Sequence, residues 1–82
     1  MTEEIQASFS TLVLSIGSSA AMALGLAPNP STGKIEKDKR MAKFNIDLLI
    51  VLQEKTKSNL TEEEKNFMSS LLSDLQMKFL KN

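Results

Sequence analysis

Three kinds of side chain in this sequence have the potential for chemistry: carboxylates, lysines and hydroxyls. The 82 residues include no histidine, cysteine or tyrosine, the side chains that supply many general bases, covalent nucleophiles and soft metal ligands. The densest acidic cluster is a run of three glutamates at 62–64, which would bind a divalent cation only if another segment added ligands. We therefore predict a protein that is not an enzyme, with no catalytic residue, no bound metal and no cofactor.

Asp47 is the best candidate for a buried functional acid, because it interrupts an otherwise apolar segment. The alternative is a salt bridge, either to Lys43 one helical turn earlier or to Lys55 of a neighbouring chain, and we favour it. We accordingly predict a structural polar network near the end of the second helix, and not a ligand site. The residues of this network are Asp47, Lys55, Asn59, Thr61 and Glu64.

A run of basic residues precedes and enters the second predicted helix, and the helix–turn–helix order that follows is superficially typical of DNA-binding proteins. Two acids, Glu36 and Asp38, interrupt the basic run. The third helix would also begin with three glutamates, which would meet phosphates at its N-terminus. With a formal net charge of zero, the chain is predicted to bind no nucleic acid. The basic residues are Lys34, Lys37, Lys39, Arg40 and Lys43.

No charged residue occurs between Glu4 and Lys34, which raises the question of a signal peptide, a membrane span or a buried helix. A signal peptide begins with positive charge, whereas this chain begins with Thr2-Glu3-Glu4. Serines, threonines and a glutamine dilute the apolar character of the segment, and no aromatic belt frames it. We favour a buried helix and a cytoplasmic protein; a membrane-associated module that uses this helix is the alternative function.

The first helix is predicted over about residues 3–25, with Thr2 as N-cap and Gly25 as the C-terminal stop. Its apolar and small residues occur on two sides, and a chain this short buries only about 60% of its unfolded surface. The helix is therefore expected to be central in a homo-oligomer, most simply a dimer, and an unidentified protein partner remains open. The predicted interface residues are Phe9, Leu12, Ile16, Gly17, Ala20, Ala21 and Leu24.

A turn-rich connector at 26–37 leads to a second helix over about 38–57 and a third over about 62–80. Asp38 and Thr61 are predicted N-caps, and Thr61 with Glu64 forms a capping box. Asn59 is expected to close the second helix in the left-handed conformation. Because the turn is short, these two helices should form an antiparallel αα-hairpin. The prediction is a single all-α domain over residues 1–82 that assembles into an oligomeric helical bundle.

Two apolar faces run along the second helix, which is therefore expected to be covered over most of its circumference. The first face contains Met41, Phe44, Leu48, Val51 and Leu52. The adjoining face contains Ala42, Ile46, Leu49 and Ile50. Only a narrow strip of this helix is clearly polar.

The segment 42–61 reads Ala-Lys-Phe-Asn-Ile-Asp-Leu-Leu-Ile-Val-Leu-Gln-Glu-Lys-Thr-Lys-Ser-Asn-Leu-Thr. Together with a connector that begins Leu24-Gly25 and continues through Asn29-Pro30 to Gly33, it resembles the bacterial domain-of-unknown-function family 1844. The resemblance extends from Phe9 to Leu80, with departures at Ser58 and Gln76, where the family pattern has Gly and Arg. It implies a bacterial, cytoplasmic, all-α protein, and it offers no catalytic residue or ligand to carry over. The function that remains is a non-enzymatic interaction or structural module.

Overall fold

The computed structural model of the chain describes residues 7–81, and three α-helices make up most of this part. They are α1 (Phe9–Ala23), α2 (Lys39–Lys55) and α3 (Glu62–Lys81). Residues 7–81 contain no β-strand. The predicted all-α class is therefore confirmed for the described residues.

The start of α1 differs from the prediction. Ser8 is the N-cap, with extended backbone (φ −144°, ψ 167°), and its hydroxyl accepts a hydrogen bond of 3.1 Å from the Thr11 amide. A helix that begins near residue 3 would include residues 7 and 8, but these two residues precede α1. The predicted start is therefore wrong for this part of the chain. Serine competes well as an N-cap because it satisfies an otherwise unpaired amide of the first turn. The predicted cap at Thr2 lies outside the described residues.

The end of α1 confirms the predicted stop at Gly25. The amide of Gly25 donates to the Met22 carbonyl (3.0 Å), and the amide of Leu26 donates to the Ala21 carbonyl (2.9 Å). These two hydrogen bonds form the Schellman motif, which requires a residue with positive φ after the cap. Gly25 supplies it with φ +81°. A Cβ atom at this position would also lie 2.7 Å from Cγ of Lys37, so the close packing of Lys37 gives a second reason for glycine.

Local hydrogen bonds also define the beginning of α2. The Asp38 carboxylate accepts from the Met41 amide at 3.2 Å, which confirms Asp38 as the N-cap. Its own backbone amide donates to the Ala23 carbonyl at 2.8 Å. The same residue therefore caps α2 and ties its first turn to the last turn of α1.

The turn between α2 and α3 confirms one prediction and corrects another. The hydroxyl of Thr61 accepts from the Glu64 amide (3.1 Å), and the Glu64 carboxylate accepts from the Thr61 amide (2.9 Å), which is the predicted capping box. Asn59, however, does not adopt the predicted left-handed conformation. Among the described residues, only glycines have positive φ. The end of α2 is instead capped at Thr56, whose hydroxyl donates to the Leu52 carbonyl at 2.5 Å.

One apolar core is built from all three helices. α1 and α3 approach each other closely at Gly17, where an added Cβ would lie 2.8 Å from Cδ2 of Leu71. A larger residue would force the Leu71 side chain to move, so glycine here leaves room for Leu71 against α1. The buried core residues are Val13, Ala20, Leu24, Ala42, Ile46, Leu49, Met68, Leu72 and Leu75.

The molecule is flat, with principal extents of 39 × 37 × 16 Å. The radius of gyration is 13.5 Å, whereas a compact domain of this length would have about 12 Å. Large apolar side chains remain exposed on all three helices, among them Leu14 on α1, Phe44 on α2 and Leu80 on α3.

None of the helices within residues 7–81 is both long enough and apolar enough to cross a bilayer.

Candidate functional site

The residues predicted for an oligomer interface on α1 mostly contribute to the core of the single chain. Gly17, Ala20 and Leu24 are buried. They face α2 and α3, and a second copy could reach them only if the chain unpacked. The single chain covers this face of α1 with its own helices, which argues against an oligomer interface at these three residues.

The other four predicted interface residues are less buried. Phe9 and Ile16 are half-buried and pack against the core, and Ala21 is half-buried. Leu12 is exposed. Since the seven residues divide between the core and the surface, they do not form one continuous contact face.

A regular apolar surface lies on α2, where no interface is predicted from the sequence. Met41, Phe44, Leu48 and Val51 follow one another at intervals of three and four residues, which places them on one line along the helix. Met41, Phe44 and Val51 are 48%, 54% and 53% exposed, and Leu48 is half-buried. We call these four residues the α2 stripe. The adjoining face, with Ala42, Ile46 and Leu49, is the one that enters the core.

Three charged residues border one edge of the α2 stripe. Arg40, Asp47 and Glu54 are spaced seven residues apart, so they lie along a line parallel to the stripe. Asp47 accepts a hydrogen bond of 2.9 Å from the Lys43 ammonium in a salt bridge, and its side chain is 50% exposed. Within residues 7–81, Arg40 and Glu54 form no ion pair and no side-chain hydrogen bond.

The other edge of the stripe faces the core and contains Asn45, which is 7% exposed and is the buried polar side chain of the described core. Its amide donates to the Met41 carbonyl at 2.9 Å, one turn earlier in α2. That bond satisfies the buried amide locally. The α2 stripe therefore has one charged edge towards solvent and one edge occupied by the interior of the same chain.

The polar network predicted from the sequence is not formed as a unit within the chain. Asp47 pairs with Lys43, as the favoured alternative predicted, whereas the side chains of Thr61 and Glu64 each accept from the backbone amide of the other. The Lys55 side chain forms no ion pair or hydrogen bond with other described residues. It follows Asp47 by eight residues, a rise of about 12 Å along a helix. This separation explains why one chain cannot join the two groups.

A groove of about 360 Å³ lies between α2 and the end of α3. Its charged lining residues, Lys43 and Asp47, are paired with each other, and its remaining lining is largely apolar. At one end the Lys39 ammonium donates to the Phe79 carbonyl at 2.6 Å and lies 3.9 Å from the centre of the Phe79 ring. The groove offers an apolar contact and no converging pair of acid and base.

Residues 7–81 contain no cluster of three or more histidine, cysteine, aspartate or glutamate side chains that could hold a metal ion. Of the three glutamates at the start of α3, Glu64 is engaged in the capping box.

A family model described as Domain of unknown function (DUF1844) matches residues 6–81, nearly the whole chain. No curated protein and no solved structure matches.

Proposed function

The chain belongs to the family DUF1844, and we propose that it acts without enzymatic activity, as a small helical module whose function depends on self-association. The partner that we propose is a second copy of the same chain, in a homodimer. This retains the oligomeric function predicted from the sequence and moves its interface from α1 to α2.

The α2 stripe is the observation that carries this proposal. Four large apolar side chains in one line along a helix are typical of a helix that packs against another helix. Complete burial of one such side chain is worth about 1.5–3 kcal/mol relative to full exposure. Since Met41, Phe44 and Val51 are each about half exposed, association would recover a substantial free energy that the single chain does not use.

The dimensions of the chain support the same proposal. Its accessible surface is 6086 Å², whereas a folded monomeric protein of 9.1 kDa would expose about 4900 Å². A stable protein–protein contact removes about 800 Å² from each partner. A second copy on the α2 stripe would therefore bring the exposed surface towards the value expected for a compact protein.

We further propose that α2 and α3 form an antiparallel αα-hairpin, and that two such chains make a helical bundle. The short turn between Lys55 and Glu62 supports this arrangement. So does the contact of Lys39, the first residue of α2, with Phe79 near the end of α3. In this arrangement α2, which carries the α2 stripe, is joined to α3 at both of its ends: by the short turn and by the Lys39–Phe79 contact.

A non-enzymatic role is supported by the environment of the acids. Asp47, the candidate functional acid of the sequence, is half-exposed and paired with Lys43. Glu64 caps a helix. A bacterial origin and a cytoplasmic location stay predictions.

The mass of the protein in solution tests the proposal. Size-exclusion chromatography with light scattering, over a dilution series from high to low micromolar concentration, should give twice 9.1 kDa at the upper end and a decrease on dilution. A constant mass of 9.1 kDa throughout the series would contradict the proposed self-association.

A further inference from the structure

We infer that two copies of the chain pair through antiparallel α2 helices, in a register that places Arg40 of each copy opposite Glu54 of the other. This inference rests on the proposed self-association and adds its geometry. It also assigns a role to two charged residues that have no partner within the described part of one chain.

The first step is the spacing of the α2 stripe. Intervals of three and four residues are those of the a and d positions of a heptad, which form the contact line between two packed helices. Two copies related by a two-fold axis must use the same surface on both sides. In an antiparallel pair, Met41 then packs against Val51 of the second copy, and Phe44 packs against Leu48 of the second copy. All four stripe residues find an apolar neighbour.

The charged edge selects between the two directions of packing. Arg40, Asp47 and Glu54 occupy the g positions of the same heptads. In an antiparallel pair this edge meets the same edge of the second copy, so that Arg40 faces Glu54 twice in each dimer. In a parallel pair it would meet the opposite edge, where Asn45 is buried within its own chain. Only the antiparallel direction therefore gives charge complementarity.

Asp47 lies at the centre of this arrangement and would face Asp47 of the second copy. Two unpaired carboxylates in this position would repel each other. Each Asp47 is already paired with Lys43 of its own chain at 2.9 Å, which compensates the charge. The salt bridge thus reduces the repulsion between the two Asp47 side chains at the centre of the proposed contact.

Lys55 fixes the register. Lys55 follows Val51 by four residues and so continues the line of the α2 stripe, but it is charged and exposed. A shift of one heptad would bring Lys55 against Phe44 of the second copy and would leave a lysine in an apolar contact. The apolar line therefore ends where the proposed pairing ends, and the alternative register is disfavoured.

Charge reversal tests the pairing directly, because Arg40 and Glu54 are both exposed and their substitution leaves the core intact. Arg40→Glu and Glu54→Arg should each weaken the dimer about tenfold in sedimentation equilibrium at low salt, since each creates two like-charge pairs. The double variant should return to within about threefold of the wild type, and an equimolar mixture of the two single variants should form a heterodimer. Circular dichroism checks that each variant remains helical.

A second measurement uses the absence of cysteine from the sequence. A short bismaleimide reagent should link the Asp47→Cys dimer efficiently, because residue 47 lies near the two-fold axis. It should not link Arg40→Cys, whose two copies would lie at opposite ends of the contact. Equal linking of both variants would indicate parallel helices and overturn the inference.

The possible outcomes separate the two proposals. If the wild type is dimeric but neither single reversal weakens it, or if the double variant is not restored, the antiparallel register is wrong while self-association stands. If the wild type is monomeric at every concentration, both proposals fail. Weakening by each single variant together with recovery in the double variant supports the inference.

Discussion

The Lys39 ammonium contacts Phe79 in two ways: it donates a hydrogen bond of 2.6 Å to the Phe79 carbonyl and lies 3.9 Å from the centre of the ring. The contact joins the first residue of α2 to the last turn of α3, forty positions along the chain. Because Lys39 is exposed, the cation–π component is worth about 0.5–1 kcal/mol. The last turn of α3 is therefore held to α2 by a polar contact as well as by the core.

Lys39→Met should remove this contact and retain most of the side-chain volume. We expect a decrease of about 1 kcal/mol in the free energy of unfolding, measured by urea denaturation at low salt. Lys34→Met, at an exposed position in the connector, serves as the matched control and should change stability by less than about 0.5 kcal/mol. Equal effects of the two substitutions would show that the Phe79 contact does not stabilise the fold.

Thr61→Ala should lower the free energy of unfolding by about 1 kcal/mol, the usual value of an N-cap. The substitution removes the hydroxyl that accepts from the Glu64 amide. Glu64→Ala should cost less, and the two effects should not add, because both residues belong to one capping box. Chemical denaturation of the three variants measures this coupling. An unchanged midpoint at constant slope for Thr61→Ala would contradict the assigned cap.

Gly25 and Gly33 offer a matched pair of substitutions. Both have positive φ, +81° and +72°, so alanine at either position costs about 1–2 kcal/mol in backbone strain. An added Cβ at Gly25 would also lie 2.7 Å from Lys37, whereas nothing lies within 4 Å at Gly33. We expect Gly25→Ala to lower the melting temperature more than Gly33→Ala. The difference should decrease in a Lys37→Ala background; a difference that is unaffected by Lys37 would rule out this contact as its cause.

Asp47→Asn should have little effect on the fold. The salt bridge with Lys43 is an exposed i,i+4 pair, which is worth about 0.3–0.5 kcal/mol. We therefore expect the free energy of unfolding to change by less than about 0.5 kcal/mol, and the dimer to be no weaker, because the substitution removes a charge near the two-fold axis. Denaturation and sedimentation equilibrium measure the two quantities. A loss of several kcal/mol would show that Asp47 has a structural role that the salt bridge does not explain.

The features that the sequence predicted correctly depend on signals within one helical turn. Gly25 ends α1 and Thr61 pairs with Glu64 because each motif satisfies backbone groups three to five residues away. Where two local signals competed, the prediction failed. Ser8 caps α1, so residues 7 and 8 precede a helix that was predicted to begin near residue 3, and Thr56 caps α2 although Asn59 tolerates the left-handed conformation.

The apolar face that stays exposed on the single chain could not be predicted, because α1 and α2 each carry apolar residues on two faces. Which face is covered depends on contacts between distant segments, such as the approach of Leu71 to Gly17. Small residues on α1 indicated close helix packing, but the pattern does not distinguish a helix of the same chain from one of a second copy. The heptad spacing of Met41 to Val51 was present in the sequence, and only the exposure of this face identifies it as available.

The central claim is that the α2 stripe holds two copies together, and a comparison of Phe44→Glu with Leu14→Glu tests it most directly. Both side chains are 54% exposed, but only Phe44 belongs to the stripe. Sedimentation equilibrium should show a dimer for the wild type and for Leu14→Glu, and at least about a hundredfold weaker association for Phe44→Glu, which places a charge in each half of the apolar contact. Equal dissociation constants for the two variants, with both remaining helical, would contradict the account.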